Sequence, residues 1–444
     1  MCEARFSAAR SLGLGALALG VALAMPAAVF AADAPKAPTF AKDIAPIFQE
    51  KCEACHRPDS IAPMSLKTYT EVRPWVRSIK TRVESHNMPP WQIDKTVGVQ
   101  KFKNDRSLSD DQVQTILKWV DAGAPQGDLK DMPGPKTWPD DQGWNFAALF
   151  GQTEPDLIIL SDKFTMPAVS QDAWDKRITA SGITEPRWVR AIEIRPVTIK
   201  GRRITHHAIA YLEQEEPNAP QSFLPTPFME WAIGKQGEML RPDTGKLLMP
   251  GAKFHWDIHY SQAGEEITSQ VQMGIYLYPK GQEPKFRTTL SLVPAALGTM
   301  DIRPNTVSMA EGFFTLRDNA RIESFQPHMH LRGKAMQVSA LLPSGQQQVI
   351  SYVNNFDFNW MTSYLYADDV APLLPKGTIL KVTAWHDNTS AKKSNPDPNQ
   401  WVGWGDRTVD EMAHAWINIV YMNDADYKVE TEKRRTQSTG TQQQ

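Results

Sequence analysis

Residues 52–56 read Cys-Glu-Ala-Cys-His, and this motif constrains the chain more than any other feature. Two thiols at this spacing form thioether bonds to the vinyl groups of a haem, and the adjacent imidazole of His56 is placed to ligate the iron. The only other cysteine in the sequence is Cys2, so a zinc site built on Cys52 and Cys55 would lack partner thiolates. We therefore predict one covalent c-type haem, bound by Cys52, Cys55 and His56.

The second axial ligand of this haem has several candidates. Met88 follows a predicted helix over residues 69–84, which lets the chain cross to the opposite face of the haem. Met64 lies close to His56 in the sequence and would leave little chain to cover the haem, while His86 or an open position are further alternatives. Met88 is the preferred ligand. Its thioether would raise the reduction potential, which suits an electron carrier.

The first 31 residues have the pattern of an export signal. Arg5 and Arg10 precede an apolar run over residues 12–24, and small residues follow up to Ala31. A retained membrane anchor is the alternative, but the run is shorter than the ~20 apolar residues that span a bilayer. Covalent haem attachment also requires an exported chain. We predict a signal peptide over residues 1–31, cleavage near Ala31, and a periplasmic protein without stable membrane insertion.

The composition is that of a globular chain with several cores. With 444 residues, of which 41% are hydrophobic and 22% are charged, the chain can bury two or three cores. The formal net charge is −2 and the sequence has no basic stripe. Nucleic acid is therefore not an expected partner.

Hydrophobic periodicity divides the chain into regions. Residues 40–128 have helical spacing, with a capping box from Ser109 to Gln112 and apolar residues that recur until Gly123. A segment rich in proline, glycine and aspartate follows, and after it come short β-rich runs bounded by turn residues. The predicted fold class is a small all-α c-type cytochrome followed by two antiparallel β-sandwiches. The predicted regions are a haem domain (40–128), a linker (129–150), a first sandwich (151–295), a second sandwich (296–426) and a disordered tail (427–444).

The histidines of the β-rich region fall into two sets. His328 and His330 stand at positions i and i+2 of a predicted strand, so both imidazoles can project from one face toward a metal. The adjacent His206 and His207 would face opposite ways on a flat strand, so their joint use as ligands requires a bulge, a strong twist or a strand end. His259 is the expected third ligand of that set, and His255 is the alternative. An all-imidazole site suits copper or zinc, with copper preferred by intrinsic affinity.

Four short motifs resemble those of the copper type II, ascorbate-dependent monooxygenases. That family includes peptidylglycine α-hydroxylating monooxygenase and dopamine β-monooxygenase. The resemblance spans roughly residues 155–422, and the motifs occur in the order that the family uses. They are Thr205-His206-His207-Ala208, Ile258-His259-Tyr260, His328-Met329-His330-Leu331 and Asp410-Glu411-Met412.

The resemblance implies two jelly-roll-like sandwiches and two copper ions. The first copper would relay an electron, and its implied ligands are His206, His207 and His259. The second copper would bind and activate O₂, and its implied ligands are His328, His330 and Met412. The thioether of Met412 favours Cu(I) over zinc. His386 lies outside both ligand sets, and we expect it to be structural or to neighbour the site.

This chain departs from the animal members of the family in two respects. It has no cysteine in the β-rich region, where those enzymes are rich in disulfides. It also lacks the Arg, Asn and Tyr with which the peptide-hydroxylating branch anchors its substrate carboxylate. The corresponding residues here are Gln326, His414 and Trp416. A peptidylglycine substrate is therefore disfavoured, and these residues are predicted to line the substrate pocket, with simple packing as the alternative.

Together, the haem motif and the resemblance predict a periplasmic copper-dependent monooxygenase that hydroxylates a C–H bond of a small organic substrate with O₂. The fused haem would replace ascorbate as the source of electrons, because a tethered donor acts at high effective concentration. A periplasmic electron donor would in turn reduce the haem. The alternative is a copper-binding or electron-transfer protein without hydroxylase activity.

Overall fold

The structure of the protein is a computed structural model in which strands predominate. It describes residues 37–440 apart from residues 59, 61, 139–142, 218–224, 233–234, 236 and 297, and it describes no side chain in residues 437–440. The predicted signal peptide at residues 1–31 lies outside the described residues. Strands account for 37% of the chain and helices for 17%. Within the described part, no helix combines the length and the apolar character needed to cross a bilayer.

The helices are short, and most of them lie near the N-terminus. The α-helices are α1 (Ala45–Lys51), α2 (Tyr69–Val72), α3 (Val76–Glu84), α4 (Asp110–Asp121), α5 (Ile199–Arg202) and α6 (Asp424–Gly440), with a π-helical turn at Phe40–Ile44 and 3-10 turns at Arg73–Trp75, Leu129–Asp131 and Ala147–Phe150. Helix α2 begins with a capping box at Thr68, and α4 begins with one at Ser109. The box predicted at Ser109 is therefore confirmed.

Strands make up most of the chain after residue 156. In the described residues they are β1 (Leu157–Leu160), β2 (Phe164–Met166), β3 (Ala173–Asp175), β4 (Ile178–Ala180), β5 (Arg187–Pro196), β6 (Thr205–Glu213), β7 (Thr226–Ala232), β8 (Glu238–Met239), β9 (Thr244–Leu248), β10 (Lys253–Tyr260), β11 (Ile267–Ser269), β12 (Val271–Leu277), β13 (Phe286–Ala296), β14 (Asp301–Ile302), β15 (Val307–Thr315), β16 (Asn319–Met329), β17 (Gly333–Leu341), β18 (Gln347–Val353), β19 (Tyr364–Leu365), β20 (Leu373–Leu374), β21 (Ile379–Asp387), β22 (Val402–Gly403) and β23 (Ala413–Met422).

One large sheet organises these strands. It has ten strands in the order β1-β12-β5-β9-β13-β23-β16-β19, with β8 beside β5 and β20 beside β16. A five-stranded sheet (β3-β10-β6-β7, with β4 beside β10) and a four-stranded sheet (β15-β21-β17-β18) pack against it. Strands β2 and β11 form a separate pair, as do β14 and β22.

Two apolar cores lie between these sheets. The first joins β5 and β12 of the large sheet to β6, β7 and β10, and it buries Ile192, Trp256 and Met273. The second joins β13, β16 and β23 to β17, β18 and β21, and it buries Phe325 and Ile417. Because each large apolar side chain contributes about 1.5–3 kcal/mol on full burial, such cores can hold the sheets together without disulfides.

The alternation of side chains along β23 decides where the polar residues lie. Ile417 and Ile419 enter the second core, whereas His414 and Trp416 project from the opposite face. There Trp416 packs against Ile209 of β6, which belongs to the five-stranded sheet. The strands at the middle of the large sheet are therefore covered on both faces, and the two histidine sets meet where the five-stranded sheet, which carries His207 and His259, faces His328 of β16.

The predicted fold class is wrong, because the described residues contain no distinct, small all-α cytochrome domain at the N-terminus. The apolar faces of α1, α3 and α4 do meet around Trp119. However, the segment between α3 and α4 joins the β-rich part, where Ile93 and Phe102 form β-bridges with Val353 and Tyr366. The described residues from Pro38 onward form one compact unit. Helical periodicity reports local conformation only, so it carried no signal of these distant pairings.

The predicted sandwiches are not separate antiparallel units either. Strand β13 pairs antiparallel with β23 and parallel with β9, where Phe286 lies opposite Thr244. The ten-stranded sheet therefore runs through both of the predicted domains. The boundary predicted between residues 295 and 296 falls inside β13.

The predicted disordered tail is helical in its described part. Helix α6 covers most of the segment after residue 423. Lys285 contacts Asp426 at 2.6 Å and Arg321 contacts Glu430 at 3.5 Å, so two basic side chains of the β-rich part hold the helix. The polar composition of the tail did not reveal these partners.

Candidate metal centre

His206 and His207 reach the same side of strand β6 because the strand is bulged. In the pairing of β6 with β10, His207 lies opposite His259, while the next residue, Tyr260, lies opposite Thr205. His206 is the extra residue of this bulge, and a bulge re-aims a side chain that would otherwise face the other way. Joint ligation by adjacent histidines was predicted to require such a feature, and the structure has it.

The imidazoles of His206, His207 and His259 converge. Their ligand nitrogens lie within 4.8 Å of one another. The ring centroids are 5.0–5.5 Å apart and the ring planes are inclined by 61–70°. Because the lone pair of an imidazole lies in the ring plane, inclined rings can direct their nitrogens at one ion. The alternative ligand, His255, contacts Glu213 instead and is 28% exposed.

His259 is oriented by partners that the sequence did not reveal. Its Nε2 lies 3.1 Å from Oδ2 of Asp172, and its ring stacks on Trp174 with the centroids 4.6 Å apart. Its Nδ1 is buried and has no hydrogen-bond partner among the described residues. A histidine that ligates a metal commonly donates its other ring N–H to a carboxylate. The donor set therefore fits a metal at Nδ1 of His259.

Asp172 is a residue of the candidate site that sequence reasoning missed. It directly precedes β3, and β3 pairs with β10 so that Trp174 lies opposite His259. The same carboxylate oxygen also accepts a hydrogen bond from the hydroxyl of Thr408. The hydrogen bond with His259, assisted by that of Thr408, lowers the pKa of Asp172 to about 2. These partners are distant in the chain, so no local pattern could have revealed them.

The second histidine set lies where strand β16 ends. His328 belongs to the strand and His330 follows it, with ring centroids 5.6 Å apart and planes inclined by 70°. Both residues are only 4% exposed. Nδ1 of His330 donates to the carbonyl of Asp410 at 3.1 Å, which leaves Nε2 for a metal. The two rings have the geometry of ligands that share one ion.

Met412 lies between a loop and strand β23, and hydrogen bonds hold both its carbonyl and the side chain of its neighbour Glu411. The carbonyl of Met412 accepts a hydrogen bond from Nε2 of His386 at 3.1 Å, so His386 supports this site through the backbone of Met412. Buried Glu411 accepts hydrogen bonds from the backbone N–H groups of His330, at 2.9 Å, and of Arg332. Burial raises the pKa of Glu411 to about 7, although both N–H groups favour its carboxylate form.

The two histidine sets form one cluster. The ring centroids of His207 and His328 are 5.7 Å apart, with the ring planes at 89°. Phe358 joins the sets on another side, because it stacks on His206 at 4.6 Å and contacts His330 at 6.0 Å. The sequence predicted one site in each of two domains. The structure brings them together because the five-stranded sheet covers the face of β16 that carries His328.

The three predicted pocket residues lie beside this cluster. Across β16 and β23, Gln326 is opposite Trp416 and His328 is opposite His414. His414 stacks on His328 with the centroids 4.4 Å apart and the planes at 18°. Nearly parallel rings cannot direct their in-plane lone pairs at one ion, so His414 does not share a metal with His328. Nε2 of His414 and Nε1 of Trp416 are buried without a hydrogen-bond partner among the described residues.

Burial keeps the imidazoles of His206, His207, His328 and His330 neutral. It lowers the pKa of His206 to about 3 and that of His330 to about 4. Burial also lowers the pKa of His414 to about 3, and it holds the pKa values of His207 and His328 well below the usual value. Neutral imidazole is the form that binds a metal. These four imidazoles can therefore bind a cation at neutral pH without first releasing protons.

The predicted haem-attachment residues lie in a turn at the end of α1. The backbone N–H of His56 donates to the carbonyl of Cys52 at 2.9 Å. Nδ1 of His56 lies 3.3 Å from the carbonyl oxygen of Met64, so Nε2 remains available to an iron. Burial raises the pKa of Cys52 to about 12, which keeps it a thiol. The residues therefore fit a thioether-bound haem with His56 as an axial ligand.

The hydrogen bond between Nδ1 of His56 and the carbonyl of Met64 also bears on which residue can be the second axial ligand of the haem. Met64 lies on the Nδ1 side of the His56 ring, whereas the iron would lie on the Nε2 side. Met64 is thus badly placed for the opposite face of the haem. Met88 is half-buried in the turn after α3, where its N–H donates to the carbonyl of Arg82 at 3.1 Å, and His86 is exposed. Met88 stays the preferred candidate.

Comparisons with known proteins add no functional information. Neither the protein-family models nor the curated proteins give a match. Among solved structures, the chain aligns with that of infectious bursal disease virus strain Gx at 9% identity, over 65% of this chain and 75% of that chain, with a TM-score of 0.17. It aligns with the 11S allergen from Cocos nucifera at 7% identity, over 60% and 90%, with a TM-score of 0.12. Scores this low support no conclusion about fold or function.

Proposed function

We propose that this protein is a periplasmic copper-dependent monooxygenase that hydroxylates a C–H bond of a small organic substrate with O₂, with electrons from a covalent c-type haem. The observation that carries the proposal is the contact between the two histidine sets at His207 and His328. Monooxygenation needs two electrons, since one oxygen atom enters the product and the other leaves as water. Two adjacent metal sites suit this need because each can hold one electron.

The chain's own residues determine what each site binds. The ligands assigned to the first copper are His206, His207 and His259. The ligands assigned to the second copper are His328, His330 and Met412. Asp172 orients the His259 ring, and the soft thioether of Met412 favours Cu(I) over zinc. When bound, copper supplies one-electron transfer and O₂ activation.

The haem-attachment segment provides the second part of the proposal. Cys52 and Cys55 would add across the haem vinyl groups, and His56 would ligate the iron through Nε2, with Met88 on the opposite face. When bound, the haem supplies a one-electron carrier. The hydrogen bond from His56 to the carbonyl of Met64 would hold the ring in place. Export to the periplasm is proposed from the signal pattern and from the need to attach the haem outside the cytoplasm.

The buried polar atoms beside the cluster indicate how a substrate would bind. A buried polar atom without a partner costs about 1–3 kcal/mol. A substrate oxygen that accepts a hydrogen bond from Nε1 of Trp416 would offset that cost, and Nε2 of His414 could bind a further polar group. Trp416 also packs against Ile209 and Leu290, so an apolar body would suit the remaining contact. A small molecule with one polar end is therefore the substrate class that we propose for these residues.

Product mass spectrometry under labelled O₂ tests the proposal. The protein loaded with copper and haem is incubated with a reductant and a panel of small aromatic and aliphatic molecules. We expect one labelled oxygen atom in the product, and no product from His328→Ala, which removes one ligand of the second copper. Products without label, or label that persists in His328→Ala, would contradict the proposal.

A copper-binding or electron-transfer protein without hydroxylase activity is the second candidate. The burial of the ligands favours it, because His259, His328 and His330 are at most 4% exposed and leave little room for a substrate at the metals. Under this alternative, copper would bind and change oxidation state reversibly, and no substrate of the panel would acquire label.

A further inference from the structure

The loop of residues 404–412, called the Met412 loop below, contacts the second histidine set directly and reaches the first set through Asp172. It follows β22 and ends at Met412, directly before β23. The guanidinium of Arg407 binds the carboxylate of Asp410 at 2.6 and 2.8 Å, and the N–H of Asp410 donates to the carbonyl of Arg407 at 2.9 Å. These bonds brace the segment between Arg407 and Asp410.

One side of the Met412 loop is tied to the first histidine set. The hydroxyl of Thr408 donates to Oδ2 of Asp172, the same oxygen that lies 3.1 Å from Nε2 of His259. Lys176 provides a second tie, since its Nζ lies 3.1 Å from the carboxylate of Asp406. The ion pair is half-exposed and therefore weak. The link through Asp172 is less exposed, since the Asp172 side chain is 27% exposed, and it leads directly to His259.

The other side of the Met412 loop is tied to the second histidine set. The carbonyl of Asp410 accepts the Nδ1–H of His330, and Glu411 accepts the backbone N–H of the same histidine. The guanidinium of Arg332 donates to the carbonyl of Val409 at 2.9 Å. A continuous series of hydrogen bonds and a short braced segment thus lead from His259 to His330 and Met412.

We propose that Asp172 and Thr408 couple the two metal sites, so that copper at the first site strengthens copper binding at the second. This rests on the proposed function, since it takes the histidine sets as copper sites. A metal at Nδ1 of His259 immobilises the ring, and the ring then immobilises the Asp172 carboxylate through Nε2. The carboxylate in turn holds Thr408 and the Met412 loop. A loop that is already ordered loses less entropy when the second copper binds.

The expected coupling has a defined size and direction. Coupling between two sites typically changes affinity by about 5- to 150-fold, and it is reciprocal. We therefore expect the dissociation constant of the second site for Cu(I) to be at least about 5-fold lower when the first site is filled. In this role Asp172 and Thr408 are positioning residues, since neither is assigned as a copper ligand.

Titration with Cu(I) against a competing Cu(I) chelator measures this coupling. The second-site dissociation constant is compared between the intact protein and His206→Ala, which weakens the first site, and the comparison is repeated in a Thr408→Val background. Valine keeps the shape of threonine and removes the hydroxyl. The double-mutant cycle cancels any direct effect of His206 on its neighbours. With Thr408 present, we expect His206→Ala to raise the second-site dissociation constant. We expect no such effect of His206→Ala in the Thr408→Val background, and we expect it to return with Thr408→Ser.

Each result has a defined consequence. Coupling that persists at full size in Thr408→Val overturns the proposal, as does a second-site affinity that does not depend on His206. Absence of Cu(I) binding at either set overturns both the coupling and the copper assignment. Coupling that vanishes in Thr408→Val while no labelled product forms supports the coupling and rejects the monooxygenase. If Thr408→Val fails to fold in a thermal melt, Asp172→Asn replaces it, and undiminished coupling in that variant overturns the proposal.

Discussion

The first histidine set is built almost entirely from paired strands, whereas the second depends on a loop. His206, His207 and His259 lie on β6 and β10, so the hydrogen-bond register of one sheet places all three rings. In the second set only His328 lies within a strand, His330 follows its end, and Met412 lies at the end of a loop. Backbone pairing therefore preforms the first site, while side-chain hydrogen bonds determine the shape of the second. The second site should be the more adjustable of the two.

The largest expected effect separates ligands from supporting residues. His328→Ala should lower the copper content from two ions to one, because it removes one of the three ligands assigned to the second copper. His386→Ala should keep both coppers, since His386 contacts the carbonyl of Met412 and is not assigned as a ligand. Metal analysis of the purified variants measures this. An unchanged copper count in His328→Ala together with a lower count in His386→Ala would reverse the assignment.

The next effect tests how far the first site is preformed. Asp172→Asn keeps the size of the side chain but weakens the hydrogen bond to Nε2 of His259. Loss of such a partner typically costs about 10- to 100-fold in metal affinity. We expect a loss within this range at the first site by chelator competition, with Asp162→Asn at the surface as the matched control. An unchanged affinity would mean that strand register alone positions His259.

A smaller effect tests how far the second site depends on its supports. Glu411→Gln replaces a carboxylate that accepts two backbone N–H groups with an amide that can accept with one atom only. One buried N–H then loses its acceptor, which should destabilise the protein by about 1–3 kcal/mol. We also expect weaker copper binding at the second site and unchanged binding at the first. Urea unfolding and chelator titration measure the two effects, with the exposed Glu185→Gln as the control.

The smallest effect concerns pH and the carboxylate beside the first site. Hydrogen bonding lowers the pKa of Asp172 to about 2 from its ordinary value of 3.8. A carboxyl group whose pKa is lower in the folded protein stabilises the fold above the ordinary pKa, and this stabilisation is lost as the pH falls through the lowered value. The metal-free wild type should therefore melt at a higher temperature than Asp172→Asn above about pH 4, and the difference should shrink toward pH 2. A difference that stays constant over this range would contradict the assignment.

The error in fold class shows the limit of local patterns. The helix predicted over residues 69–84 and the capping box at Ser109 were read correctly as local structure, whereas residues 85–109 of the region predicted to be helical form no helix. Nothing in that spacing shows that Ile93 and Phe102 bridge to Val353 and Tyr366, and these bridges remove the expected domain boundary. The parallel pairing of β9 with β13 likewise has no sequence signal, since it joins strands about 40 residues apart.

The sequence by itself determined the features that depend on neighbouring residues. These are the Cys52-to-His56 motif, the one-face placement of His328 and His330, and the need for a bulge at His206. Only the tertiary structure decided that His207 contacts His328, that Asp172 holds His259, and that Thr408 and Glu411 tie the Met412 loop to both sets. The physical reason is that spacing along a strand follows from local backbone geometry, whereas contacts between strands follow from sheet register and from the packing of distant segments.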